Sequence, residues 1–302
     1  MRRHRWWWVG SGVAFLLGTG LFACGVEETE QGQGQRTGFQ IEEATIGDIQ
    51  AAILRGDLTS TQVVQAYLAR IKAYNGPCVN EPQGILGPIT TIKRAGRINA
   101  LITLNLRPVQ RTAWGFDARK ARSMTNVVDD DPGMPDALEV AEQQDAHFAS
   151  TGTLIGPLHG VVMAIKDQFD TYDMRTTSGA DAFYADDRPP DDATFVTRLR
   201  EAGAIILAKA NMGEYAAGGV TGVRSSFGGT NCNAYDTERD PGSSSGGSGN
   251  AVSANLVMCA IGEETGTSVR EPAKNNSVVG LAPTRELVSA DGMMQRGITT
   301  RV

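Results

Sequence analysis

Histidine is nearly absent: the 302-residue chain has three, His4, His147 and His159. That argues against a metal centre built on several histidines and leaves a histidine-based triad few candidates. The four cysteines, Cys24, Cys78, Cys232 and Cys259, form no Cys-x-x-Cys pair. They are too few to frame a domain of this length with disulfides. Basic excess is missing as well. With 28 Lys+Arg against 34 Asp+Glu the net charge is −6, so nothing marks a face for nucleic acid. Charged residues are 21% and hydrophobic ones 41%, which excludes a disordered polyampholyte and leaves room for one large or two modest domains. Glycine is plentiful at 36 residues, yet no G-x-y period accompanies it, so the chain is not collagen-like.

The first 24 residues read as an address. Arg2, Arg3 and Arg5 precede an uncharged stretch over 6–23 that ends Leu21-Phe22-Ala23-Cys24. A basic start, an apolar middle and a small residue before a cysteine are the pattern of a lipoprotein signal peptide, 1–23, with Cys24 as the lipidated residue. An uncleaved anchor is the competing reading, since 18 uncharged residues lie at the lower edge of spanning length. Losing 1–23 removes three arginines and no acid, shifting the net charge from −6 to −9. Residues 24–40 are polar and Gly/Gln-rich, a flexible tether. Folded sequence is expected from about 41 to 302.

Periodicity then predicts elements. Ile46, Ile49 and Ile53, followed by Val63, Val64, Tyr67, Leu68 and Ile71, keep the spacing of two helices over 45–75. Residues 76–90 and the acidic segment 123–136 read as solvated loops. Leu138, Ala141, Asp145 and Phe148 predict a helix. VVMAI over 161–165 and AIILA over 204–208 read as buried strands on either side of an amphipathic helix over 194–202, a rhythm that argues for a mostly parallel α/β sheet. The glycine-rich DPGSSSGGSGN over 240–250 runs into the apolar helical run AVSANLVMCAIG, in which Cys259 reads as core. A Gly/Ser linker is the bland alternative, set aside because apolar sequence flanks the loop on both sides. Whether Cys78 and Cys232 pair is left open.

Gly242-Ser243-Ser244-Ser245-Gly246 matches G-x-S-x-G, the nucleophile elbow of α/β-hydrolases. That elbow needs a strand before it and a histidine after it, and this sequence offers neither. A serine hydrolase without histidine can use lysine as its base, provided burial favours the neutral amine over the ordinary ammonium with a pKa of about 10.4. Lys166, at the end of the apolar run 161–165, is suited to that. The usual fate of a lysine at a strand exit is the surface.

Six ordered blocks carry a more specific signal: GPLHGVVMAIKDQFD (156–170), LAKANMGEYA (207–216), SSFGGTNCN (225–233), DPGSSSGGSGNAV (240–252), GEETGTSVREPA (262–273) and VVGLAPT (278–284). Together they resemble the amidase signature family, from Thr45 to Val302, with 77–135 poorly matched. The resemblance implies an α/β fold with a mixed, mostly parallel central sheet flanked by helices on both faces. It also implies hydrolysis of carboxamide C–N bonds by a Ser–cis-Ser–Lys triad: Lys166 as base, Ser244 as bridge and Ser268 as nucleophile. Backbone N–H groups of Thr265, Gly266, Thr267 and Ser268 would hold the oxyanion, Ser245 would support the network, and Arg270 would orient the loop. No metal or organic cofactor is implied. Ser243, Thr267, Ser277 and Glu286 stand where the family has glycine, so a positive φ at any of them would be strained. Family members also continue past MMQRGITTRV, so the chain reads as C-terminally truncated and is expected to expose core surface.

The function that follows is an exported, membrane-tethered amidase acting on a small or peptide-like amide, with no nucleic-acid partner. Two alternatives stand beside it. One is a glutaminase-type subunit of a tRNA-dependent amidotransferase, which export contradicts because aminoacyl-tRNA is cytosolic. The other is a non-catalytic lipoprotein that keeps the fold as a binding module. The particular amide and the oligomeric state are not written in the sequence.

Overall fold

The computed structural model describes residues 38–182, 188–217, 223–294 and 302. The signal segment 1–23, Cys24 and the tether up to residue 37 lie outside the described residues. From Phe39 onward the chain forms one compact unit.

Two capped helices open it. Helix α1 (Ile46–Leu54) starts at Thr45 and helix α2 (Ser60–Tyr74) at Thr59, each with a reciprocal side-chain and backbone capping box. A short hairpin pairs β1 (Val79–Asn80) with β2 (Thr90–Thr91). Strand β3 (Leu101–Leu104), helix α3 (Pro108–Ala113) and helix α4 (Ala137–Thr151) follow. Asp136 caps α4 with another capping box, and Gly152 ends it in the left-handed conformation. The rest is β4 (Val162–Lys166), α5 (Thr194–Glu201), β5 (Ile205–Ala210), the pair β6 (Arg224–Ser225) and β7 (Gly229–Thr230), α6 (Gly246–Ser253), β8 (Cys259–Ile261) and α7 (Arg270–Asn275).

The central sheet has the order β3-β5-β4-β8. Strands β5, β4 and β8 run parallel, while β3 joins β5 antiparallel. Alternation along β4 divides the core. Val162 and Ala164 pack with Ile205 and Leu207 against residues of α1, α2, α4 and α6. Val161, Met163 and Ile165 point the other way, with Ile206, against Phe195 and Val196 of α5. Side chains on successive strand residues face opposite sides, so helices cover both faces. This is the mixed, mostly parallel α/β architecture expected from the sequence.

Five local expectations need revision. The segment 76–90 is not simply a solvated loop: it holds β1 and the start of β2, and Cys78 and Val79 are buried. The apolar run LITL, too short to show a period, is a buried strand, β3. Helix α6 begins inside the glycine loop and stops at Ser253; the CAI of the following run is strand β8. Cys259 is only partly buried; among the described residues β8 is the sheet's edge, with a strand neighbour on one side alone. The acidic segment 123–136 is not simply solvated. Asp129 is buried and takes both Nε and a terminal nitrogen of buried Arg122 at 2.7 Å, plus Arg188 at 2.9 Å. A guanidinium removed from water needs such a counter-charge. Cys78 and Cys232 are joined by a disulfide that links the hairpin region to the segment after β7.

Candidate active site

In a parallel sheet the strand ends of one sense lie side by side, and ligands collect beyond the carboxyl ends. Here the register pairs Ile165 of β4 with Ile261 of β8. Lys166 and the segment after Ile261 are therefore neighbours.

Lys166 is fully buried. Its Nζ donates to Ser244 Oγ at 2.8 Å and to the Glu263 carbonyl at 3.3 Å, and it forms an ion pair with Glu263 Oε2 at 3.1 Å. Burial drives its pKa from 10.5 down to about 8, against the pull of the Glu263 carboxylate, which favours the ammonium. The surface fate usual for a lysine is thus ruled out for Lys166.

Ser244 and Ser245 are buried at the entry to α6. Ser245 Oγ donates to the Glu263 carbonyl at 3.0 Å and accepts the Glu263 N–H at 3.2 Å, which locks the glycine-rich loop to the loop after β8. Two glycines let this loop and the start of α6 sit close to other neighbours. Gly242 has φ +106°, and a Cβ there would lie 2.6 Å from Pro272; a Cβ on Gly247 would lie 2.2 Å from the Asn211 carbonyl oxygen.

Ser268, 8% exposed, stands just before α7. Its Oγ lies 2.9 Å from Ser243 Oγ. Ser244, expected to bridge, meets Lys166, but Ser268 meets Ser243 in place of Ser244, so among the described residues the three expected residues do not form one continuous chain of hydrogen bonds. Thr265, Gly266 and Thr267 are exposed. Among the described residues no backbone carbonyl takes the N–H of Gly266, Thr267 or Ser268. Arg270 grips the loop from below: its Nε donates to Glu264 Oε1 at 2.8 Å and a terminal nitrogen to the Gly266 carbonyl at 2.7 Å. Burial raises the Glu264 carboxyl, but the N–H groups of Arg270 and Val269 and the Arg270 guanidinium outweigh it and hold the pKa below the ordinary value.

Neither Ser243 nor Thr267 has a positive φ, so neither residue strains its loop. Ser277 and Glu286, at φ 54° and 66°, do adopt the left-handed conformation. His159 lies elsewhere, buried with Nδ1 accepting the Ile155 N–H and Nε2 at 3.3 Å from Ser60 Oγ. Burial holds its pKa below the ordinary value.

Sequence reasoning missed Glu263 and the contact of Ser243. The only signal for Glu263 was an acid two residues beyond an apolar run. Its meaning depends on the β4–β8 register.

A buried lysine on a serine hydroxyl, beside a second serine-bearing loop at the carboxyl ends of parallel strands, is the arrangement that a serine–lysine mechanism requires. Comparison with known proteins is specific. The family model described as Amidase matches residues 131–302, more than half of the chain. A glutamyl-tRNA(Gln) amidotransferase subunit from Heliobacterium modesticaldum is 46% identical over 158 residues, covering 52% of this chain and 32% of that protein. Its counterpart from Alkaliphilus metalliredigens is 36% identical over 256 residues, covering 85% of this chain and 42% of that protein. The native peptide amidase of Stenotrophomonas maltophilia superposes with a TM-score of 0.63 at 36% identity, covering 83% of this chain and 42% of that one. The chain belongs to the amidase signature family. It spans less than half the length of these relatives.

Proposed function

We propose that the protein is an amidase that cleaves a carboxamide C–N bond through an acyl-enzyme on Ser268. One observation carries this reading: the fully buried Lys166 amine lies 2.8 Å from the Ser244 hydroxyl. A lysine so desolvated can be neutral and accept a proton. Ser268 Oγ leaves Ser243, turns to Ser244 and attacks the amide carbonyl carbon. Its proton passes to Ser244 as the proton of Ser244 passes to Lys166. The oxyanion forms against the N–H groups of Thr265 to Ser268, where each well-aimed donor contributes about 3 kcal/mol. Collapse breaks the C–N bond, and the proton returns along the relay to the leaving amine. Water then cleaves the acyl-serine with the same proton path. Ser245 and Arg270 act on loop position.

Hydrolysis of a panel of simple amides by wild type, Lys166→Ala and Ser268→Ala tests the reading. Wild type alone should turn over; equal rates in all three overturn it. The likeness to proteins named as part of glutamyl-tRNA(Gln) amidotransferase supports a second reading, a glutaminase-type component of such a complex. Preference for free glutamine over peptide amides, seen only with added partner proteins, would favour that one.

We further propose export and a lipid anchor at Cys24. The basic start and uncharged stretch of 1–23 support it, as does the Cys78–Cys232 disulfide, a bond that persists in oxidising compartments. Labelled palmitate should enter wild type and not Cys24→Ala; incorporation in neither ends the proposal.

A further inference from the structure

The side chain that faces the Lys166 amine with a charge is Glu263, at 3.1 Å, with both side chains out of solvent. The other ionisable groups around this corner have other partners. Asp167, next on the chain after β4, accepts the N–H groups of Thr177 and Gly179 and faces Lys209 of β5 at 3.6 Å. Glu264 pairs with Arg270, and Glu271 of α7 accepts the Thr267 hydroxyl. The second oxygen of Glu263, Oε1, takes the Thr265 hydroxyl at 2.7 Å. One carboxylate therefore links the lysine to the first residue of the loop that bears Ser268.

Two effects act on the amine in opposite directions. Removal from water favours the neutral form; a carboxylate in contact favours the ammonium. With burial alone Lys166 would be neutral over most of the pH range but a weak base. With Glu263 beside it, a proton arriving from Ser244 creates an ammonium that already has its counter-ion, so the amine is a stronger base while fewer molecules hold it neutral at low pH.

We propose that Glu263 is a positioning residue that forms a proton-holding couple with Lys166, setting the pH at which the lysine becomes available as base and the strength it then has. The proposal rests on Lys166 being the base of the reaction above. Its proton balance is simple: the ammonium arises when Ser244 yields its proton and disappears when that proton goes to the leaving amine, with Glu263 unchanged throughout.

The test uses the full chain and two readings. In protein carrying 15N-lysine, the Lys166 side-chain signal, identified by its loss in Lys166→Met, is titrated in wild type and Glu263→Gln. The midpoint should fall by about one pH unit or more in the variant, the size expected when an opposite charge in contact is removed. In parallel, the rate at which a fluorophosphonate labels Ser268 is followed against pH. Its acid limb should move to lower pH in Glu263→Gln while its high-pH plateau drops several-fold, a split that a loosened loop alone does not produce. A midpoint equal to wild type overturns the proposal, as does a limb and plateau that both stay put. A shifted midpoint with no labelling of wild type at any pH leaves the couple standing and removes Ser268 as nucleophile. If Glu263→Gln fails to melt cooperatively, Glu263→Asp takes its place. Its shorter carboxylate weakens the contact, so the midpoint should fall by less; an unchanged midpoint there also overturns the proposal.

Discussion

The Oγ atoms of Ser243 and Ser268 lie 2.9 Å apart across 25 residues of chain. The serines of the glycine-rich loop thereby divide their partners: Ser244 takes Lys166 and Ser243 takes Ser268. Ser243 occupies a position where the family has glycine, and on the proposed mechanism its hydroxyl competes with Ser244 for Ser268. Removing it in Ser243→Ala is expected to raise the rate of fluorophosphonate labelling of Ser268 about 2- to 10-fold, the worth of one ordinary hydrogen bond. A fall of about tenfold or more would instead make Ser243 part of the proton path.

The wild-type labelling rate should follow the state of Lys166. A base works when unprotonated, so the rate is low below its pKa, rises as pH climbs through it and levels off above. With that pKa lowered to about 8 by burial, the half-maximal rate is expected near pH 8. A rate already flat from pH 5 to 9 would separate Lys166 from the activation of Ser268.

The Cys78–Cys232 bond joins residues 154 apart in the chain. Cross-linking so distant a pair restricts the unfolded chain, and disulfides of this kind typically contribute about 2–4 kcal/mol. Urea unfolding of Cys78→Ser or Cys232→Ser is expected to show a loss in that range, and reductant should destabilise wild type but not the variants. Equal midpoints with and without reductant would refute it.

Ser277 follows the C-cap of α7 with φ 54°, and the Val278 N–H reaches back to the Ala273 carbonyl at 3.0 Å. That is the helix-ending turn in which a left-handed residue is usually glycine. A side chain there costs roughly 1–2 kcal/mol of strain, partly offset by the greater entropy of glycine when unfolded. Ser277→Gly is therefore expected to stabilise the fold by about 0.5–1 kcal/mol, read as a higher melting temperature.

Gly247→Ala should do the reverse. Its methyl would stand 2.2 Å from the Asn211 carbonyl oxygen and 2.7 Å from that of Ala100, both backbone atoms that cannot turn aside. A loss of at least about 1–3 kcal/mol is expected, as for overpacked cores. A circular dichroism melt superimposable on wild type would show that α6 can shift without cost.

Much of the scaffold was legible in the chain because it rests on local rules. Capping residues and three-four spacing marked α1, α2 and α4, and β-branched runs marked β4 and β5. The two loops with their serines stood out by composition and by family likeness. Strand β3 was passed over because four residues flanked by irregular chain carry too little period to read. Helix α6 was misjudged because glycine is a poor helix former. Its helix exists for a tertiary reason, since only hydrogen at position 247 lets it press against the backbone at Asn211 and Ala100. The pairing of Lys166 with Glu263 and of Ser268 with Ser243 is likewise tertiary. It follows from the register of β4 on β8 and from the lock between Ser245 and the Glu263 backbone. The sequence by itself singled out the residues proposed to carry chemistry, and its shortage of histidine pointed to a lysine as the proposed base. The folded sheet alone decided which hydroxyl meets which partner, because contacts across roughly 20 to 100 residues of chain depend on strand register and close approach, which no local pattern encodes.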